Sequence, residues 1–187
     1  IQGNLDLARE LLGDDAQRVQ AELKLVDEQI ERMRLIVAQL LQFARPNEYA
    51  GYVTAVDANR LVEDCLVLAG HLLSRTRIEV RKDLRASGHA QANRQELQQV
   101  LVNLLVNAIH AMPDGGVLTL ATRDHATADG PMVELSVTDT GPGLKDEVIQ
   151  RLYEAFFSTK AEGLGIGLSL CRSIIESHRG RMRAQNL

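Results

Sequence analysis

The sequence predicts an α+β chain in which an antiparallel helical hairpin, dimerising as a four-helix bundle, precedes a two-layer α/β sandwich. Apolar residues recur at alternating steps of four and three from Val19 to Ala44, which is the seam of a coiled coil. Pro46 ends this helical pattern. Beyond it, stretches of strand-like alternation and of helical periodicity follow one another. We therefore divide the chain into a hairpin at residues 1–46 and an α/β domain at residues 47–187.

Two apolar stripes and a turn define the hairpin. The first stripe is formed by Ile1, Leu5, Ala8 and Leu12, and Gly13-Asp14-Asp15 supplies turn and capping residues. The second stripe is formed by Val19, Leu23, Val26, Ile30, Met33, Val37, Leu40 and Ala44. One hairpin cannot cover its own stripe, so we expect a homodimer built as a four-helix bundle. The alternative is a helical pair that packs on the globular domain of its own chain.

The second domain alternates between strand and helix patterns. The predicted elements are, in order, a strand at Tyr52–Val56, a helix at Ala58–Leu73, a strand at Arg77–Leu84, a brief strand or loop near His89, a helix at Arg94–Met112, strands at Val117–Arg123 and Met132–Thr138, a helix near Lys145–Tyr153, an irregular segment at Phe156–Leu164 and a helix from about Gly165 to His178. The run from Gly180 to Leu187 is predicted to begin a last strand that is cut short. This order indicates a mixed α/β layer fold.

Composition excludes several classes of protein. The 187 residues are 45% hydrophobic, enough for a core, but only 3% aromatic, and the net charge is −4. Scarce aromatic side chains and a mildly acidic balance argue against nucleic-acid binding. Cys65 and Cys171 lie in separate helical apolar patterns, so we expect reduced core thiols and a cytoplasmic location, with the cytoplasmic part of a membrane-bound sensor as the alternative. The longest apolar stretch, residues 100–109, is interrupted by asparagine and too short to span a bilayer, so we expect no membrane segment.

The stretch from Asp139 to Leu144, with the sequence DTGPGL, is the predicted centre of the functional site. An alternating strand pattern ends there, because two glycines and a proline cannot continue a strand. Glycine at positions 141 and 143 leaves room for a flat ligand against the backbone, and the Asp139 carboxylate can accept hydrogen bonds from a purine amino group. An ordinary strand-to-helix turn is the alternative interpretation.

Two asparagines, Asn103 and Asn107, lie four residues apart on one face of an otherwise apolar helix. A buried amide without a partner costs on the order of 1 to 3 kcal/mol, so both need bonded neighbours or a ligand. Amide carbonyl oxygens suit Mg²⁺ that is held together with phosphates. Asparagines bonded to the neighbouring backbone are an equal alternative.

The segment from Gly163 to Leu168, with the sequence GLGIGL, opens the last long helix. Its free backbone amides and the positive end of the helix favour phosphate as a ligand. A Rossmann site is excluded because no buried strand precedes the glycines, and a Walker loop is excluded because no Gly is followed by Lys and then Ser or Thr. Lys160 can reach a terminal phosphate, although an isolated lysine is more often solvated.

In this order the motifs resemble those of the sensor histidine kinases of two-component systems. The matching boxes of that family's ATP-binding domain are N (Asn103 and Asn107), G1 (Asp139-x-Gly141-x-Gly143), F (residues 156–160) and G2 (Gly163-x-Gly165-x-Gly167). The domain belongs to a superfamily with Hsp90, gyrase and MutL, and the short interval from Lys160 to Gly163 is similar to the nitrogen-regulator and dicarboxylate-sensor type. The resemblance implies a sandwich of the histidine-kinase ATPase type at residues 47–187, preceded by the dimerisation hairpin.

The resemblance also implies roles for individual residues, with ATP and Mg²⁺ as cofactors. Asp139 binds the adenine amino group, Gly141 and Gly143 line the base pocket, and Asn107 holds Mg²⁺ with help from Asn103. The other positions assigned to the nucleotide are Thr159, Lys160, Gly163, Leu164, Gly165, Gly167 and Leu168. Asn103, Asn107 and Lys160 are the expected catalytic residues, acting by positioning and charge neutralisation.

Three residues depart from the family pattern outside these nucleotide motifs. Tyr153 and Ala155 stand where the family usually has Phe and Pro, and Arg179 replaces a usual glycine.

The family's acceptor histidine is not among these residues. None of the 5 histidines is followed by Asp or Glu, so the resemblance places the acceptor upstream of Ile1, in a longer protein. We expect phosphoryl transfer from ATP to that histidine and then to a response regulator receiver domain, and no self-labelling by this chain alone. A dimeric nucleotide-binding module that signals by conformation is the alternative. A serine kinase or chaperone-type ATPase of the same superfamily is disfavoured by the heptad hairpin and the short lid.

Overall fold

A computed structural model divides the chain into two compact units, Ile1–Tyr49 and Ala50–Leu187. The residues that it describes are 11, 19, 20, 22, 23, 25, 26, 30, 52–128, 130–158 and 165–186.

In the first unit, every described residue except Val19 lies in an α-helix, and Val19 lies in a 3₁₀ turn. Ile30 of the predicted seam is buried, whereas Val19 and Val26 are exposed. The hairpin turn, the seam beyond Ile30 and Pro46 lie outside the described residues. The hairpin and its homodimer therefore stay predictions.

The second unit contains five strands and four helices among its described residues. They are β1 (Thr54–Asp57), α1 (Ala58–Leu73), β2 (Ile78–Leu84), β3 (His89–Ala92), α2 (Arg94–Ala111), β4 (Gly116–Thr127), β5 (Gly130–Asp139), α3 (Asp146–Arg151) and α4 (Gly167–Ser177). This is the mixed α/β order that the sequence predicts. Among the described helices, none has the length and apolar character needed to cross a membrane.

Side-chain caps fix where the two long helices begin. The Asp57 carboxylate accepts hydrogen bonds from the first-turn amides of α1, 2.8 Å from Asn59 N. Asn93 does the same for α2, with its Oδ1 2.9 Å from Gln95 N. A capping side chain satisfies amides that have no partner within the helix, so these residues set the first turns of α1 and α2.

The sheet that carries the site has the strand order β2-β4-β5. Strand β2 is parallel to β4, and β4 is antiparallel to β5, with Leu118 opposite Asp139. Strands β1 and β3 form a separate antiparallel pair. Because β5 ends at Asp139, the Asp139 carboxylate lies at the end of the strand, where the chain leaves the sheet.

Two apolar clusters hold the helices in place. The first is formed by α1, α2 and β4, and its most buried members are Val62, Cys65, Leu101, Leu105, Leu118 and Leu120. The second lies between α2 and α4 and consists of Val100, Leu170, Cys171 and Ile174. Both cysteines are buried free thiols, as predicted. Helix α2 belongs to both clusters, so it is the element on which the site is assembled.

Two strand predictions differ from the structure by more than two residues at an end. The sequence predicts that β4 stops at Arg123, but the strand continues to Thr127, because pairing with β5 extends through exposed residues as far as Thr127 opposite Gly130. The strand predicted to begin at Gly180 does not form in residues 180–186. Near its end, the Asn186 side chain bonds to the backbone of Leu144.

Candidate nucleotide-binding site

Asp139 is exposed at the end of β5, and the chain turns immediately after it. One carboxylate oxygen, Oδ1, accepts a hydrogen bond of 2.9 Å from Gly141 N. The other, Oδ2, accepts no hydrogen bond from the other described residues. The turn therefore orients the carboxylate through one oxygen and leaves the second available to a donor on a ligand.

The two glycines of this turn are required for different reasons. A Cβ atom on Gly141 would lie 2.7 Å from Asp139 Oδ1 and 3.0 Å from the carbonyl oxygen of Ala111, so no side chain fits between the turn and α2. Gly143 has a φ of +69°, a left-handed conformation that side chains disfavour. The predicted glycine turn is thus packed closely against the end of α2.

Thr140 supports the turn from the side of the sheet. Its hydroxyl oxygen accepts a hydrogen bond of 3.0 Å from Val117 N and lies 3.6 Å from Met112 Sδ. Sequence reasoning missed this residue, because a threonine beside Asp139 carries no signal until the register of β4 and β5 is known.

The two asparagines of α2 have unequal positions. Asn107 Nδ2 donates a hydrogen bond of 3.1 Å to Asn103 Oδ1, and both side chains are half-buried. This bond uses the donor of Asn107 and leaves its carbonyl oxygen without a hydrogen bond from the other described residues. Asn107 therefore offers an oxygen to a ligand, and Asn103 orients it.

Helix α4 begins beside this pair. A Cβ atom on Gly167 would lie 2.8 Å from Asn103 Nδ2, so the first residue of α4 touches the asparagine. Ile166, at the N-cap, makes no side-chain capping bond. No side chain in the described part of the chain caps the first-turn amides of α4, so within it these amides are available to a phosphate next to Asn103.

Helix α4 is fixed on α2 at its other end as well. His178 Nε2 lies 2.7 Å from Glu96 Oε2, and the two side chains are only 13% and 15% exposed. Together with the Val100–Cys171 cluster, this pair sets the position of α4 along α2. Burial raises the pKa of the Cys171 thiol to about 12 and that of Cys65 to about 11, so neither thiol is an activated nucleophile.

The features above converge along one face of α2. Asn103, Asn107 and Ala111 follow at intervals of four residues, and they span about 12 Å of helix. Asn103 touches Gly167 at one end, and Ala111 touches Gly141 at the other. Asn107 lies between the N-terminus of α4 and the turn that follows Asp139. This arrangement suits an elongated ligand with a base at one end and phosphates at the other.

The described residues contain no group of three or more His, Cys, Asp or Glu able to hold a metal ion. A cation at this site must therefore take few ligands from this part of the chain, and the Asn107 carbonyl oxygen, which accepts no hydrogen bond from a described residue, fits that requirement. Mg²⁺ binds in this way, because it keeps waters and takes further oxygens from phosphates.

Four predicted site residues, Thr159, Lys160, Gly163 and Leu164, lie outside the described part of the chain. On either side of that segment, Phe156 N donates a hydrogen bond of 3.0 Å to Gly165 O. Gly165 has a φ of +67°, and Leu168 is half-buried in the first turn of α4.

Two arginines stack on the aromatic rings that precede this segment. The guanidinium of Arg151 lies 4.3 Å from the centroid of the Phe157 ring, and that of Arg172 lies 5.0 Å from the centroid of the Tyr153 ring. The Tyr153 hydroxyl is buried without a hydrogen-bond partner among the described residues, and burial raises its pKa. A phenylalanine at position 153 would therefore lose no hydrogen bond to a described residue.

A family model described as histidine kinase-, DNA gyrase B- and HSP90-like ATPase matches residues 92–186. Sensor protein FixL of Bradyrhizobium diazoefficiens is 37% identical over 171 residues, which cover 90% of this chain and 33% of that protein. The signal transduction histidine-protein kinase AtoS of Escherichia coli is 30% identical, with 100% of this chain and 30% of that protein covered. The chain thus spans about a third of the length of these curated relatives.

Solved structures show the same likeness. The catalytic domain of histidine kinase ThkA, free of nucleotide, has a TM-score of 0.61 and 31% identity, covering 68% of this chain and 82% of that one. ThkA in complex with the response regulator protein TrrA has a TM-score of 0.71 and 25% identity, covering 99% of this chain and 52% of that one.

Proposed function

We infer, from the premise that this chain belongs to the family of histidine kinase-, DNA gyrase B- and HSP90-like ATPases, that it is the ATP-binding core of a sensor histidine kinase. The main support for this proposal is that Gly141, Asn107 and Gly167 lie in a row along one face of α2, with Asn107 on the helix and the two glycines packed against it. Each has the chemistry that one part of Mg²⁺-ATP requires.

Asp139 binds the adenine. Oδ1 accepts the hydrogen bond from Gly141 N, and Oδ2, which accepts none from the described residues, accepts a hydrogen bond from the exocyclic amino group of the base. Gly141 lets the flat ring lie against the backbone, because no side chain stands at that position.

Asn107 and the first turn of α4 hold the phosphates. The Asn107 carbonyl oxygen is the proposed Mg²⁺ ligand, and Asn103 fixes its orientation through the 3.1 Å hydrogen bond. The first-turn amides of α4, with the positive end of the helix dipole, face the phosphate oxygens. When bound, Mg²⁺ supplies neutralisation of the charge that builds up during phosphoryl transfer. Lys160, Thr159 and the glycine at 163 complete this part of the proposed site.

The phosphoryl acceptor is a histidine that precedes Ile1. A nitrogen of that imidazole attacks the γ-phosphorus, the bond to the β,γ-bridging oxygen breaks, and ADP leaves. The phosphoryl group then passes to an aspartate on a response regulator, the class of protein bound by ThkA in the structure with TrrA. We propose that the chain works in the cytoplasm as a homodimer joined through its helical hairpin.

The test is self-phosphorylation of a chain extended to include the residues before Ile1. With ATP labelled at the γ-phosphate, the extended chain is expected to acquire acid-labile, base-stable label, and the same chain with Asp139→Asn is expected to acquire none. Residues 1–187 alone should bind ATP without becoming labelled. An extended chain that binds ATP but stays unlabelled would contradict the kinase and favour a module that signals by conformation.

A further inference from the structure

The side chain of Asn186 forms two hydrogen bonds to the backbone of Leu144, 42 residues earlier in the chain. Leu144 N donates to Asn186 Oδ1 at 2.9 Å, and Asn186 Nδ2 donates to Leu144 O at 2.6 Å. The Asn186 amide thus bonds both the N–H and the C=O group of Leu144, as the backbone of a neighbouring β-strand would do.

Leu144 is the last residue of the glycine turn that follows Asp139. Pro142 has no N–H group, and Gly143 is in a left-handed conformation, with a φ of +69°. Among the described residues, no other hydrogen bond ties positions 141–144 to a distant part of the chain. Among the described residues, Asn186 is therefore the residue whose hydrogen bonds hold the exit of the turn.

Asn186 also limits the space around the turn. A Cβ atom on Gly143 would lie 3.1 Å from Asn186 Oδ1, so the amide packs against the glycine as well as bonding to its neighbour. At the entry of the turn, Gly141 is held by Asp139 Oδ1 and by close contact with Ala111. The turn is fixed at both ends, and only the entry was foreseeable from the sequence.

We propose that Asn186 is a positioning residue for adenine recognition, a role that rests on the proposed nucleotide site. By holding the Leu144 peptide, it keeps Gly143 left-handed and Gly141 against α2, and this keeps Asp139 Oδ2 directed at the base. The segment after α4, although it forms no strand in residues 180–186, thereby shapes the base end of the site.

The test uses residues 1–187 and calorimetric titration with ADP, with and without Mg²⁺. Asn186→Ala is expected to weaken ADP binding about ten-fold, the effect of losing two hydrogen bonds that preorganise the turn. Asn186→Leu, which keeps the size of the side chain, is expected to show a similar loss. Because Asn186 acts at the adenine end of the proposed site, the fold-loss of ADP affinity should be the same with and without Mg²⁺.

Gln185→Ala is the matched control, because Gln185 is an exposed neighbour that makes no hydrogen bond within the described part of the chain. Its affinity for ADP should equal that of the unmodified chain. Hydrogen exchange at the Leu144 amide gives a second measurement, and the Asn186 variants should exchange faster there while their thermal unfolding midpoints stay close to that of the unmodified chain.

Three outcomes would overturn the inference: unchanged ADP affinity in both Asn186 variants, a loss seen only with Mg²⁺, or an equal loss in Gln185→Ala. If the unmodified chain itself fails to bind ADP, the proposed function fails, and the inference fails with it. If it binds and the Asn186 variants bind equally well, only the inference fails.

Discussion

Replacing Gly167 with alanine should weaken Mg²⁺-nucleotide binding without destabilising the fold. The added Cβ would lie 2.8 Å from Asn103 Nδ2 and 3.1 Å from Asn103 Oδ1, so the Asn103 amide must move. We expect that movement to break the hydrogen bond that Asn107 donates to Asn103. Losing one such bond costs about 1 kcal/mol, or roughly a five-fold loss of affinity, while alanine in place of glycine favours the helix by up to ~1 kcal/mol.

Titration with ADP in Mg²⁺ and in EDTA measures this effect, because a displaced Asn107 affects only the metal-dependent part of the affinity. Gly70→Ala is the matched control: it also lies in a helix, but its Cβ would meet no atom within 4 Å. That variant should gain about 0.5 to 1 kcal/mol in its free energy of unfolding and bind ADP normally. In an Asn103→Ala background, Gly167→Ala should cause no further loss.

The reasoning would be refuted if Gly167→Ala bound Mg²⁺-ADP as tightly as the unmodified chain. It would also be refuted if the loss in EDTA equalled the loss in Mg²⁺, because the substitution would then act on the whole site rather than through the asparagine pair.

Further predictions concern Asn107, Tyr153 and the two cysteines. Asn107→Ala should reduce ADP affinity in Mg²⁺ and leave the affinity in EDTA nearly unchanged, and equal losses by calorimetry would contradict its role as the metal ligand. Tyr153→Phe removes a buried hydroxyl without a partner among the described residues, so chemical denaturation should show a free energy of unfolding unchanged or raised by about 1 kcal/mol. Cys65 and Cys171 should resist a thiol reagent at pH 8 until the chain unfolds. Burial raises the pKa values of Cys65 and Cys171 from the ordinary 9.0 to about 11 and about 12. Above about pH 9 these thiols therefore ionise only in the unfolded chain, and the free energy of unfolding should fall as the pH rises. A free energy of unfolding that stays constant up to pH 11 would contradict this.

The order of strands and helices was predictable because local patterns determine it. Asp57 and Asn93 are capping residues placed immediately before apolar helical periodicity, so the starts of α1 and α2 could be foreseen from the sequence. The extension of β4 to Thr127 could not be foreseen, because its last residues are exposed and are held by pairing with β5 rather than by burial.

The residues of the proposed site could be chosen from the sequence, but the contacts between them could not. The sequence places Asn103 and Asn107 on one face, yet only the structure shows that Asn107 donates the 3.1 Å hydrogen bond and that Asn103 accepts it. Asn186 lies 42 residues from Leu144, and no local pattern connects them. Such long-range side-chain contacts depend on the complete fold.

The most direct test of the account is calorimetric titration of residues 1–187 and of the Asp139→Asn variant with ADP. In the variant, the carbonyl oxygen of the introduced amide would keep the hydrogen bond from Gly141 N, which directs the amide NH₂ group at the adenine amino group, donor against donor. We predict that the unmodified chain binds one ADP and that the variant, with an unchanged circular dichroism spectrum, loses affinity by roughly ten- to hundred-fold, the range for a hydrogen bond to a charged group. Failure of the unmodified chain to bind ADP, or equal affinity in the folded variant, would contradict the nucleotide site on which the account rests.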